Sequence, residues 1–214
     1  MTRAGRILRA SALAALLGGP AAAQVCLCIE CMTTPLDRFT PVATSMAPAF
    51  LPGDCVIFDT ADRDPTVGEV ILQDTGVGTF IRRVVALEGA TVGMTGGRLV
   101  IDGEPVPTEP RPDYELPAAA DRRDYRCTGD DPCRIARSAE TLGGVTYETL
   151  DLTEDGPLDD VPPILVPPGH VFLLGDNRDN AVDSRMPSGT PGGGPVPLSD
   201  IIGTYVRHQT TPTP

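Results

Sequence analysis

The stretch Gly169-His170-Val171-Phe172-Leu173-Leu174-Gly175-Asp176-Asn177-Arg178-Asp179-Asn180-Ala181-Val182-Asp183-Ser184-Arg185 starts at a glycine, runs through four apolar residues and ends in a dense polar turn. An apolar run this short, bounded by glycine on both sides, has the signature of a buried strand rather than a helix. Taken alone, the charged residues after it form a polar turn that closes the strand.

Working outward, the same kind of signal recurs. Residues 55–58 and 69–72 are short, β-branched and bounded by Gly, Pro and Asp. Phe80-Ile81-Arg82-Arg83-Val84-Val85-Ala86-Leu87 is the strongest strand candidate, and residues 98–106, with Gly103 inside, read as a hairpin. Residues 145–152 and 201–207 return to strand character. The segment 107–142 is rich in Pro, Asp and Arg and shows no sustained period, so it reads as an insertion or a weakly structured second region. Pro162, Pro163, Pro167 and Pro168 predict a turn-rich approach, and residues 186–197 a Gly/Pro loop. Beyond the N-terminal segment no helix has convincing periodicity. The fold class expected is mainly β, with one catalytic-type core and an inserted lobe.

Composition narrows the function. A formal net charge of -12 over 214 residues argues against a nucleic-acid partner, since phosphate binding needs a basic face. All 17 basic residues are arginine. At the N-terminus, Arg3, Arg6 and Arg9 precede a short apolar run over 11–17, a Gly18-Gly19-Pro20 breaker and a small-x-small site at Ala21-Ala22-Ala23. Residues 1–23 thus read as a signal peptide or an N-terminal membrane anchor, the anchor requiring the apolar stretch to continue through residue 29. Both readings place the rest of the chain outside the cytoplasm. Six cysteines, Cys26, Cys28, Cys31, Cys55, Cys127 and Cys133, suit such a compartment. The turn-rich loop between Cys127 and Cys133 favours a disulfide between them. Cys28-x-x-Cys31 is half of a redox or metal motif, but no second such pair follows and neither histidine lies near it in sequence. A structural disulfide, with Cys55 as a candidate partner, is the better expectation, and no metal or cofactor is expected.

Three blocks in order carry a resemblance: Ser45-Met46-Ala47-Pro48 with Gly53-Asp54, Arg82-Arg83-Val84, and residues 175–185. Together they resemble the bacterial signal peptidase I family, membrane-bound serine endopeptidases that remove signal peptides from exported proteins. Smaller echoes at residues 97–103, 194–197 and 202–203 extend the likeness over roughly 40–206. The resemblance implies a coiled β-sheet or barrel core from 41 to 206, with an inserted smaller β or irregular lobe at about 107–165. It also implies a linker at 24–40 and a tail at 207–214. By the same resemblance Ser45 is the nucleophile, its N–H an oxyanion donor, and Asp183 and Arg185 an ion pair. Arg83 and Asp176 are supports, and Cys127 and Cys133 match the disulfide of the larger lobe in Gram-negative members. Partners would be signal peptides of exported proteins or an active peptidase, with the chain in the periplasm or on the outer face of the inner membrane, or associated with the membrane surface.

The pattern breaks at the base. Where the family places lysine this chain has Arg82, and where it places the serine that orients the lysine this chain has Ala181. Bringing a guanidinium from its usual pKa to neutrality costs on the order of 8 kcal/mol, whereas a lysine needs only about 3 units. The alanine methyl offers neither donor nor acceptor. His170 reads as structural, and His208 lies close to a Thr/Pro tail. Three functions follow from this sequence. The first is a catalytically degenerate homologue that binds preproteins near Ala-x-Ala sites, the second a working serine endopeptidase with an unusual base, and the third a purely structural envelope protein. A shallow apolar groove beside Ser45 separates the first two from the third.

Overall fold

The computed structural model describes residues 26–116, 120–127 and 133–209. The expected leader or anchor at 1–23 lies outside them. A seven-stranded antiparallel sheet takes β1 (Leu36–Phe39), β2 (Cys55–Asp59), β3 (Val70–Asp74), β4 (Thr79–Leu87), β12 (His170–Leu174), β13 (Val196–Pro197) and β14 (Ile201–Gln209). Its order is β1-β2-β14-β3-β4-β12-β13. A four-stranded sheet holds β5 (Thr91–Thr95), β6 (Arg98–Ile101), β7 (Glu104–Pro105) and β11 (Val161–Leu165), and a three-stranded sheet β8 (Thr108–Arg111), β9 (Ala136–Leu142) and β10 (Val145–Asp151).

The solid apolar run of β12 follows from burial on both faces. Successive side chains point to opposite sides of a sheet. Phe172 and Leu174 pack with Val85 and Leu99 on one side, while Val171 and Leu173 pack with Ile71, Val84 and Ile201 on the other. A third cluster, built around Met46, Phe50, Phe58, Leu72 and Ile81, seats the turn that carries Ser45.

Three segments differ from the sequence expectation. Residues 107–142 contain two strands, β8 and β9, paired with one another, and β9 pairs on its other side with β10. Cross-strand polar pairs replace an apolar pattern there: the Thr141 and Thr146 hydroxyls meet at 2.9 Å, and Arg137 reaches Glu148 at 3.3 Å. Pro162 and Pro163 lie within β11 rather than in a turn. That strand is at a sheet edge, and its register shifts between Val161 and Ile164, which accommodates residues without a usable N–H. The bulge sits directly over Gly93, where a Cβ would approach the Val161 carbonyl to 3.0 Å. Finally, β14 runs through His208 to Gln209, sandwiched between β2 and β3.

All six cysteines are bonded, as Cys26–Cys55, Cys28–Cys31 and Cys127–Cys133. The first pins the entering chain to β2 across a sequence separation of 29 residues. Closing a loop of that size removes unfolded-state entropy worth about 3 kcal/mol. The double variant Cys26→Ser/Cys55→Ser is therefore expected to unfold at lower urea, with a loss of about 3 kcal/mol by linear extrapolation. An unchanged midpoint would show that this bridge does not constrain the chain.

Candidate active site

Ser45 sits on a turn that follows β1, with Ala47 N–H donating to the Thr44 carbonyl (3.0 Å) and Phe50 N–H to that of Met46 (3.0 Å). Met46 and Ala47 on either side of the turn are buried, which fixes its orientation and leaves Ser45 half-exposed. The 175–185 loop then grips this turn. Asn177 N–H donates to the Ser45 carbonyl (3.1 Å), Asn177 Nδ2 to the Thr44 carbonyl (3.1 Å) and Asn180 Nδ2 to Thr44 Oγ1 (2.6 Å). Contact is so close at Gly175 that a Cβ there would lie 2.7 Å from the Ser45 carbonyl oxygen and 2.3 Å from the Ala181 methyl. Only glycine fits.

Strand alternation sends the two arginines of β4 in different directions. Arg83 pairs bidentately with Asp176, at 2.8 and 2.6 Å, and lies 4.0 Å from the Tyr147 ring centroid. Asp183 and Arg185 pair at 2.9 and 2.8 Å, and Asp183 also accepts from Gly175 N–H at 3.0 Å. A further pair was not foreseen from sequence: Arg178 meets Glu140 of β9 at 2.7 and 2.5 Å, and Tyr147 donates to the same carboxylate at 2.9 Å. Burial pushes the Glu140 carboxyl up, yet the Arg178 guanidinium and the hydrogen bonds outweigh it and hold the group below its ordinary range. No spacing rule links residue 140 to residue 178; only the polarity of β9 hinted at a buried partner.

Arg82 faces Ser45. Its Nη1 donates to Ser45 Oγ at 3.0 Å and to the Ile81 carbonyl at 2.6 Å, while Nε and Nη2 share the Val182 carbonyl at 3.1 and 2.6 Å. Burial lowers its pKa to about 10; Asp183 and Asp176 oppose that shift and Arg185 adds to it. At neutral pH about one guanidinium in a thousand is then uncharged. Ala181 is buried and presents a methyl group. Neither histidine is a partner of the hydroxyl: His170 Nδ1 is 2.8 Å from the Pro168 carbonyl, and His208 Nδ1 is 2.8 Å from Tyr205 Oη. Among the described residues, Arg82 is the hydrogen-bond partner of Ser45 Oγ.

A cavity of about 230 Å³ opens beside this pair, walled by Phe39, Val42, Ala43, Met46, Phe80 and Ile81. One rim is a strand edge and the other irregular chain. β12 pairs with β4 only from Arg83 onward, leaving residues 79–82 uncovered on that side, and the backbone groups of Val42 and Ala43 make no hydrogen bond among the described residues. Val42 is 89% exposed.

A second group of carboxylates lies behind the loop. Asp159 and Asp179 oxygens converge on Gly156, and Asp151 and Asp159 on Gly97. Burial first, then the charges of Asp179 and Asp159, push Asp151 up to about 6.

Comparisons with known proteins match most of the chain. A family model described as signal peptidase, peptidase S26, matches residues 16–208. A probable signal peptidase I-1 of a Synechocystis species is 27% identical over 182 residues, which are 78% of this chain and 66% of that protein. A probable chloroplastic thylakoidal processing peptidase 2 of Arabidopsis thaliana is 27% identical over 184 residues, 80% of this chain and 37% of the relative. The chain thus spans about two thirds of the first and little more than a third of the second. Among solved structures, a signal peptidase I from Enterococcus faecalis V583 shares 20% identity, covering 67% of this chain and 97% of its own, with a TM-score of 0.36.

Two stability outcomes follow. Asp176→Asn leaves the buried Arg83 charge unpaired and is expected to cost about 3 to 5 kcal/mol in urea unfolding; a loss under about 1 kcal/mol would mean that the pair is expendable. For Asp151 the folded pKa, about 6, is above the ordinary 3.8. Its contribution to stability is therefore present at low pH and is lost as pH rises through about 6. Asp151→Asn is expected to be more stable than the parent above that pH and to lose the advantage below 4. Parallel pH profiles of the urea midpoint would contradict this.

Proposed function

Because the chain belongs to the signal peptidase, peptidase S26, family, we propose that it takes the small-residue ends of signal peptides into the groove beside Ser45 and does not hydrolyse them. The observation behind this reading is the 3.0 Å hydrogen bond from Arg82 Nη1 to Ser45 Oγ. Attack on a carbonyl requires a neighbour that accepts the hydroxyl proton as the new bond forms. Arg82 occupies that place as a donor. A cation there can stabilise negative charge once formed, but it takes no proton while it keeps its own. The resemblance puts a lysine at this position and a serine at 181; with arginine and alanine there, both the acceptor and the group that aims it are gone.

The binding half of the activity has support of its own. An extended peptide fits between the open edge of β4 and the unbonded backbone of Val42 and Ala43 by main-chain hydrogen bonds, with side chains alternating into the apolar cavity. The apolar lining of that cavity suits small apolar side chains, and the resemblance implies Ala-x-Ala sites. The cavity also favours a peptide-binding role over a purely structural one. Three disulfides agree with an oxidising compartment such as the periplasm. In that setting the chain would serve an active peptidase by holding signal peptides.

The decisive assay gives purified full-length protein a preprotein with an Ala-x-Ala site. At neutral pH the product is expected not to exceed the Ser45→Ala background, and Ser45-dependent product would overturn the reading. Any hydrolysis that relies on the uncharged guanidine must climb about tenfold per pH unit, because the uncharged form grows until the pH reaches about 10. Arg82→Lys alone is expected to raise Ser45-dependent cleavage less than about tenfold, since Ala181 leaves the amine unaimed. Arg82→Lys with Ala181→Ser should raise it about a hundredfold or more. Full activity from the single change would refute the two-residue account.

A further inference from the structure

Four arginines are buried around the Ser45 turn: Arg82, Arg83, Arg178 and Arg185. Three of them face a carboxylate through two hydrogen bonds each, Asp176, Glu140 and Asp183 respectively. Arg82 is different. It is 4% exposed and lines the groove, yet among the described residues it has no ion pair. Its N–H groups meet two backbone carbonyls and the Ser45 hydroxyl, and the Phe80 ring centroid lies 4.7 Å from the guanidinium. A cation withdrawn from water with no carboxylate in contact is costly, and an anion arriving in the groove relieves that cost.

Resting on the reading that this groove accepts a peptide strand, we infer that the preferred ligand is a cut peptide: a small C-terminal residue whose free carboxylate sits against Arg82 and Ser45. The donor set fits a carboxylate. Ser45 Oγ accepts from Arg82 and keeps its own hydrogen to donate, and Ser45 N–H has no acceptor among the described residues. With the guanidinium, these make charge-assisted bonds to two carboxylate oxygens, whereas an uncut peptide bond offers one neutral oxygen. Residues before the terminus then lie along the unengaged backbone of Val42 and Ala43. The charge of the whole molecule is consistent with this. At -12 it repels acidic peptides at a distance but attracts one with a basic start and a single terminal carboxylate, which is the form of a released signal peptide.

The test uses full-length protein and a fluorescently labelled peptide with the sequence of residues 12–23, which ends in Ala21-Ala22-Ala23. It is made as the free acid, as the C-terminal amide, and as a version continued by five residues past the end. Anisotropy titrations are expected to give the acid about ten- to a hundredfold tighter binding than the amide, with the continued peptide resembling the amide. Arg82→Gln should abolish the preference and Arg82→Lys should retain part of it; the parent-protein comparison stands even if a variant fails to fold. Equal affinity for acid and amide overturns the inference while leaving the groove reading intact. Absence of binding by all three peptides overturns both.

Discussion

Ion pairs withdrawn from water hold the 175–185 loop against the Ser45 turn, and most of the site geometry depends on that grip. Arg83–Asp176 ties the loop to β4, Arg178–Glu140 ties it to β9, and Asp183–Arg185 closes the loop on itself. Each pair is bidentate, which supplies direction as well as attraction. Burying ions is a poor source of stability compared with apolar packing, but removing one partner is severely destabilising. Such pairs therefore favour one loop conformation strongly without adding much to the depth of the fold. Backbone bonds complete the clamp, because Asn177 reaches the carbonyls of both Thr44 and Ser45.

The clamp has consequences for Arg82. With Val182 fixed by the loop, its carbonyl receives both Nε and Nη2 of the guanidinium. The head is then locked with Nη1 toward Ser45. A flexible surface arginine would swing into water; this one is held at the point where a proton acceptor would have to be. Partial dehydration moves its pKa only to about 10, roughly halfway from its ordinary value to neutrality. A lysine begins about two units lower than arginine, so equal dehydration would bring it within reach of the working range. The same pocket thus gives opposite chemistry from two side chains of equal charge.

Much of this was legible in the sequence, and for physical reasons. The run 171–174 identified itself as a strand because burial on both faces demands an unbroken apolar series. Ser45, Arg82 and the 175–185 loop were recognised through their order and residue types, and the structure brings them together. The strands β8 and β9 were hidden because they are stabilised by threonine and ion pairs and not by apolar alternation. β11 was hidden because its prolines sit at a bulged edge, which local propensity does not reveal. Glu140 and Tyr147 escaped because a buried ionic partner is chosen by the three-dimensional path of the chain, not by distance along it.

Support and chemistry are separable in this site. The elements that set the position of Ser45, namely Gly175, Asn177 and the ion pairs of Arg83 and Arg185, depend on the loop and not on what residue 82 does with a proton. They impose the same geometry whether a peptide is to be cut or only held. By the resemblance, Arg82 and Ala181 stand where the proton would be handled, and the bonds of Asn177 and the ion pairs of the loop do not involve either side chain. The groove proposed to take a strand is closed at one end by a fixed positive charge, which suits the carboxylate that cleavage creates. In the lysine-bearing pattern that end of the groove initiates hydrolysis; with arginine in place its chemistry matches the product.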